Sequence, residues 1–165
     1  MKRAAIIGSG GAGKSTLARE LGTKTGLPVV RLDRLYWQAG WRPVSREAWL
    51  ERQHELLARD RWIIDGNYGA TMDLRLAAAD TIVFLDTPRR VCLWRVLKRR
   101  LRFHRRTRPD MTAGNPERLT SEFLRFVWNY REQKPALLVK LGQREHAHVV
   151  RLRTSRDVRR SLETV

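Results

Sequence analysis

The chain has 165 residues, with 34 basic side chains against 17 acidic ones and a formal charge of +17. That length suits one domain spanning 1–165, and a hydrophobic content of 42% excludes a disordered polymer. No apolar run approaches transmembrane length, no leader pattern opens the chain, and the single cysteine, Cys92, excludes an internal disulfide. A reducing, cytoplasmic setting and no membrane partner are therefore expected.

Ala4-Ala5-Ile6-Ile7 reads as a short buried strand, and Ser15 to Thr25 as a helix. Between them lies Gly8-Ser9-Gly10-Gly11-Ala12-Gly13-Lys14-Ser15-Thr16, which fits G-x-x-x-x-G-K-[ST]. Glycines let the backbone curl around an anion with its N–H groups turned inward. The helix start offers unpaired N–H groups and a positive dipole end to the same anion. Lys14 is placed to reach β- and γ-phosphates, and Ser15 to ligate Mg²⁺. ATP and Mg²⁺ are the ligands expected.

Val29-Val30-Arg31-Leu32 reads as a second strand, with Asp33 at its C-terminal end, where ligands of parallel sheets collect. Asp33 there suits a substrate hydroxyl or a metal-bound water, and equally a helix cap. Leu35, Tyr36, Trp37 and Trp41, interleaved with Arg34 and Arg42, make either an acceptor pocket or a packed loop. A helix capped by Ser45 follows, running to about Arg59.

Trp62-Ile63-Ile64 forms a third strand, leading into Asp65-Gly66-Asn67-Tyr68-Gly69. Asp65 is thus a second acid at a strand end, a candidate for the Mg²⁺ shell or the acceptor site, with an ordinary D-G turn as the alternative. Thr71 to Ala79 reads as a short helix and Thr81 to Leu85 as the fourth strand, β-branched, apolar and bounded.

Thr87 is read as an N-cap with Pro88 at the first helical position. From Arg89 to Arg108 ten residues are Lys or Arg and none is acidic. Arg95 and Arg99 share one helix face, and such like charges are better tolerated with an anion nearby. A solvated basic face accounts for the other residues. The stretch His104 to Pro116 reads as an exposed loop able to act as a lid. A helix begins around Thr120, is interrupted or restarted at Pro135 and ends at Gly142. His148 to Leu152 is a fifth strand, and Ser155 caps a final helix. The four histidines lack metal-ligand spacing.

The alternation predicts an α/β domain with a mostly parallel sheet. With these residues in view, the chain resembles the adenylate-kinase-like P-loop kinases over essentially its whole length. Asp65-Gly66-Asn67-Tyr68 is similar to their Asp-Gly-Phe-Pro turn. Leu32-Asp33-Arg34-Leu35-Tyr36-Trp37, Gly40-Trp41, Trp62 through Tyr68, and Arg108-Pro109-Asp110-Met111 resemble the bacterial topology modulation protein subgroup. The resemblance implies a five-stranded parallel sheet in the order 2-3-1-4-5 flanked by helices, as in nucleoside-monophosphate kinases, with a lid. It implies an acceptor region at Asp33, Arg34, Trp37, Asp65, Asn67 and Tyr68. Arg95 and Arg99 match lid-entry arginines, and Arg118 or Arg125 the far side. The arginine that grips a monophosphate in adenylate kinases is absent from Asp65-Gly66-Asn67-Tyr68-Gly69, so the acceptor need not be AMP.

The function expected is ATP-dependent phosphoryl transfer to a small acceptor, such as a nucleotide or nucleoside. Lys14, Asp33, Arg95, Arg99 and Arg125 are the catalytic candidates, and Ser15 and Asp65 the metal ones. The alternative is a DNA-associated protein regulated by ATP, or a bare NTPase switch, prompted by the basic surface.

Overall fold

The computed structural model describes residues 1–164. Five strands form a parallel sheet: β1 (Arg3–Gly8), β2 (Val29–Arg31), β5 (Trp62–Asp65), β6 (Thr81–Leu85) and β7 (His148–Leu152). Their order is β2-β5-β1-β6-β7. Counted among the parallel strands alone, this is the expected 2-3-1-4-5. The intervening labels belong to a small antiparallel hairpin, β3 (Trp37–Gln38) and β4 (Arg42–Pro43), which the sequence reading did not foresee. Neither did it foresee the five-residue helix α2 (Leu32–Tyr36) that takes up Leu32 and Asp33.

Helices cover both faces: α1 (Lys14–Thr25), α3 (Arg46–Leu57), α4 (Gly69–Ala78), α5 (Arg89–Arg102), α6 (Ser121–Gly142) and α7 (Ser155–Glu163). The side-chain alternation of β1 divides the core. Ala4 and Ile6 pack with Leu17, Leu21, Cys92 and Val96 on the α1–α5 side. Ala5 and Ile7 pack with Trp49, Leu76 and Leu137 on the α3–α4–α6 side. Strands buried on both faces explain the unbroken apolar runs at 62–64 and 81–85. Each buried aliphatic side chain contributes about 1.5–3 kcal/mol. Cys92 is fully buried in this core, and its thiol is pushed up by burial, against the pull of Lys14 and Arg95.

Three local expectations are corrected. Thr87 does not cap α5: Pro88 is the N-cap, and the Thr87 hydroxyl donates instead to the Ala12 carbonyl at 3.2 Å. Thr154, not Ser155, caps α7, in a reciprocal box with Asp157. The helix α6 runs unbroken through Pro135. Packing of Tyr130, Leu137 and Leu141 in the core outweighs the lost backbone bond, a cost of about 3 kcal/mol.

Candidate functional site

The C-terminal ends of β1, β2 and β5 set the site's floor. Arg31 and Asp65 are register partners at the last rung, with Ile6 opposite Asp65 on β1. The loop from Gly8 to Gly13 rises from this edge and turns into α1.

Two glycines are required there by space and by φ. At Gly11 (φ +78°) a Cβ would lie 2.4 Å from the Cys92 carbonyl oxygen, and at Gly8 (φ +149°) 2.6 Å from that of Leu85. Gly13 is the N-cap of α1, left-handed and with no side-chain cap. The first amides of α1 thus keep no partner from their own cap, as an anion cradle requires. The Lys14 ammonium donates to the carbonyls of Gly8 and Ser9, both at 3.0 Å, and so folds back over its own loop. Arg95 donates to the Ala12 carbonyl at 3.0 Å and to Ser155 Oγ at 3.3 Å, bracing the loop from outside.

A cavity of about 570 Å³ runs from this cradle across the sheet edge. Gly10, Gly11, Gly13, Lys14, Ser15 and Thr16 line one end. Asp33, Trp37, Trp41, Asp65, Asn67 and Tyr68 line the other, with Arg95, Arg99, Arg108 and Arg118 around the rim. Of the residues expected at the acceptor end, Arg34 is absent from this wall. It is exposed and borders a separate surface groove beneath α1. Arg125 is likewise exposed and outside the cavity, and Arg118 is the far-side arginine that reaches it. One helical turn explains the difference: Phe123 and Phe126 of α6 face the cavity, and Arg125 faces away.

The carboxylates differ in environment. Asp65 is buried, and burial pushes its carboxyl up, against the pull of the Lys14 ammonium and the Ser15 hydroxyl beside it. Like charges on Asp33 and Asp110 add to the upward push. A cation would reverse that balance, so a buried acid next to a helix-start serine fits a Mg²⁺ ion and its waters. The glycine cradle and open helix start fit a polyphosphate. Asp33 is half-buried and accepts a hydrogen bond from the Tyr68 hydroxyl at 2.7 Å. Tyr68 itself sits at φ +36°, fixed by Arg75, which is buried and donates to the carbonyls of Asn67 and Tyr68. Burial lowers the Arg75 guanidinium to about 10. The Asn67 side chain is turned towards Gly8, whose N–H and carbonyl it engages together.

The segment His104 to Pro116 is exposed at seven of its thirteen residues, as expected, but it is also anchored. Arg108, Met111 and Asn115 within it are buried, as is Glu117 just beyond. Glu117 bridges Arg99 at 2.8 Å and Arg108 at 2.6 Å, and Arg108 also pairs with Asp110 at 3.1 Å. The loop docks on the β3–β4 hairpin. Asn115 Oδ1 accepts from the Trp41 amide at 2.7 Å, the Gly40 amide donates to Gly114 O at 3.2 Å, and Arg118 stacks 4.8 Å over Trp41. Arg31, Arg108, Asp110, Glu117, Phe123 and Phe126 are cavity residues that the sequence reading assigned no role in the site. Nothing local in the sequence singled out Glu117, which lies between Asp110 and Glu122 in a polar stretch.

No protein-family model and no curated protein matches this chain. Solved structures do. A shikimate kinase from Acinetobacter baumannii, in complex with shikimate, superposes with a TM-score of 0.58 at 19% identity, over 99% of this chain and 90% of that one. A gluconokinase from Sinorhizobium meliloti 1021 gives 0.57 at 17% identity, over 99% and 92%. A shikimate kinase from Bacteroides thetaiotaomicron gives 0.52 at 20%, over 99% and 95%. The fold is therefore that of P-loop kinases of small molecules.

Proposed function

We propose that this chain is an ATP-dependent kinase of a small hydroxyl-bearing acceptor. The observation that carries the reading is the shared cavity: Lys14 and Ser15 stand at one end of it and Asp33 at the other. ATP with Mg²⁺ supplies an electrophilic phosphoryl group when bound. The amides of the glycine loop and Lys14 hold its β- and γ-phosphates, and Ser15 and Asp65 hold the metal and its waters. Asp33 would orient the acceptor hydroxyl and take its proton as that oxygen bonds to the γ-phosphorus and the bond from this phosphorus to the β–γ bridging oxygen breaks, ADP leaving. Arg95 and Arg99 neutralise charge spreading over the transferring oxygens. Trp37, Trp41 and Tyr68 shape the acceptor end, with Arg118 above them.

The acceptor is read as a nucleotide, a nucleoside or a comparably small polyol acid. The motifs around Asp33, Gly40-Trp41 and Arg108-Pro109-Asp110 support placing the chain in the topology modulation protein subgroup. The rival reading, a DNA-associated protein regulated by ATP or a bare NTPase switch, draws on the +17 charge and the basic run from Arg89 to Arg108. ADP release from Mg-ATP decides between them. The acceptors offered are nucleoside monophosphates, nucleosides, shikimate, gluconate and duplex DNA. Strong stimulation by one small molecule is the expected result. Stimulation by DNA alone, or slow release indifferent to every addition, overturns the kinase.

A further inference from the structure

The basic run from Arg89 to Arg108 is only partly absorbed by this site. Arg95, Arg99 and Arg108 turn inward to the cavity. The opposite face of α5 carries Val91, Trp94, Leu97 and Leu101, and all four are exposed, Trp94 at 65% and Leu101 at 80%. Spacings of three and four residues put them in one stripe along the helix. Exposed Arg90, Lys98 and Arg102 interleave with the stripe. The helix has seven basic residues and no acid. Single exposed apolar residues are ordinary, but a stripe of Val91, Trp94, Leu97 and Leu101 along one helix face marks a contact surface.

We infer that this outer face of α5 rests on an anionic lipid surface. Each feature of the face fits that occupant. The interleaved cations match lipid phosphates, and tryptophan and leucine insert at the boundary between headgroups and acyl chains. The expectation of no membrane partner rested on the lack of a spanning segment, and a helix lying in the interface needs none. Among the described residues no helix is long and apolar enough to cross a bilayer. A second copy of the chain fits less well, because face-to-face packing would set Arg90, Lys98 and Arg102 against their like. Duplex DNA matches the charge but offers no apolar surface for Leu97 and Leu101 along its phosphates. The inner face of the same helix lines the phosphate end of the cavity through Arg95 and Arg99, so lipid contact would bear directly on the site's wall.

The test is sedimentation with vesicles of equal phosphatidylglycerol and phosphatidylcholine, against vesicles of phosphatidylcholine alone, with tryptophan emission recorded. Binding to the anionic vesicles and a blue shift are expected. The double variant Trp94→Ala, Leu101→Ala should weaken binding at least tenfold, while its thermal unfolding and ADP release in solution stay unchanged. Failure to bind anionic vesicles overturns the inference. So does binding that the double variant leaves intact, which would be charge attraction alone. Two further results would also overturn it: vesicles ignored while duplex DNA is bound through Trp94, or a dimer in light scattering that the double variant dissolves. Vesicle binding, tryptophan emission and oligomeric state do not depend on the kinase reading, so the two proposals fail separately.

Discussion

The Asn67 side chain grips Gly8 with both ends of its amide. The Gly8 N–H donates to Oδ1 at 3.1 Å, and Nδ2 donates to the Gly8 carbonyl at 2.7 Å. The same carbonyl accepts from Lys14 at 3.0 Å. A residue after β5 thereby fixes where the phosphate loop leaves β1. Asn67→Ala removes two hydrogen bonds, each contributing about 0.5–1.5 kcal/mol. The expected result is a KM for ATP raised roughly tenfold by that difference. Steady-state kinetics with ATP varied would show it, and an unchanged KM would separate Asn67 from the loop's geometry.

Lys14 donates to two carbonyls of its own loop, and its ammonium lies beside the buried Asp65. Lys14→Ala should therefore keep the fold with a modest loss of stability, from the attraction to Asp65, while lowering turnover by about a hundredfold or more, the scale for a lost charge stabiliser. Full activity in this variant would remove Lys14 from the mechanism.

Gly11 and Gly26 both have positive φ, at +78° and +66°, but differ in surroundings. A Cβ on Gly26, at the end of α1, meets nothing within 4 Å, whereas one on Gly11 runs into the backbone of Cys92. Gly26→Ala should cost only the left-handed conformation, about 1 kcal/mol. Gly11→Ala adds displacement of α5 and should cost about 3 kcal/mol or more, the range of overpacking plus strain. Denaturant unfolding of the pair measures the difference, and equal losses would mean that α5 yields freely.

What the sequence disclosed follows from how far apart the interacting residues lie. The phosphate loop is contiguous, and its glycines, lysine and serine announce themselves in nine residues. The strands were legible because burial on both faces leaves apolar runs such as 62–64 and 81–85. The docking of the 104–116 loop was not legible. Asn115 finds its partner at Trp41, and Glu117 reaches back to Arg99, so neither local pattern nor polarity distinguishes them from solvated loop residues. Capping failed for a related reason. Thr87 and Thr154 obey the same local preference, but a carbonyl of the phosphate loop captures the hydroxyl of Thr87. Arg34 was singled out by its aromatic neighbours and Arg125 by the family resemblance, while helix phase turned both away from the cavity.

Glu117 holds two arginines together. Burial lowers the Arg99 guanidinium, the neighbouring Arg108 lowers it further, and Glu117 opposes both. Glu117→Gln leaves the half-buried Arg99 and the buried Arg108 facing each other with only Asp110, beside Arg108, as counter-charge. Breaking such a pair costs about 3–5 kcal/mol when the structure stays closed. The loop's alternative is to undock, so amide exchange should rise across 104–120 before global stability falls. Exchange that stays slow throughout this segment would show that the hairpin contacts of Asn115 and Gly114 hold the loop without the ion pairs.

Asp65 trades stability for its place in the site. Burial raises its folded pKa above the ordinary 3.8, even with Lys14 and Ser15 beside it. A carboxyl raised in this way holds its proton in the native state to higher pH than in the unfolded chain. The stability linked to that proton is fully present below the unfolded value and is lost as pH rises through the folded one. Above the folded value the native protein therefore carries a buried carboxylate that burial disfavours. Asp65→Asn keeps the shape and removes the charge, so in that range it should be about 1–3 kcal/mol more stable than the parent, the scale of an imperfectly compensated buried polar group. The advantage should shrink as pH falls through the folded value and the parent's carboxyl takes up its proton. Activity with Mg-ATP should fall sharply in the same variant, because the metal role proposed for Asp65 needs the charge that the substitution removes. Thermal unfolding across pH, with and without Mg-ATP, reads both effects. A variant less stable than the parent above the folded value would mean that attraction to Lys14 outweighs the burial of Asp65.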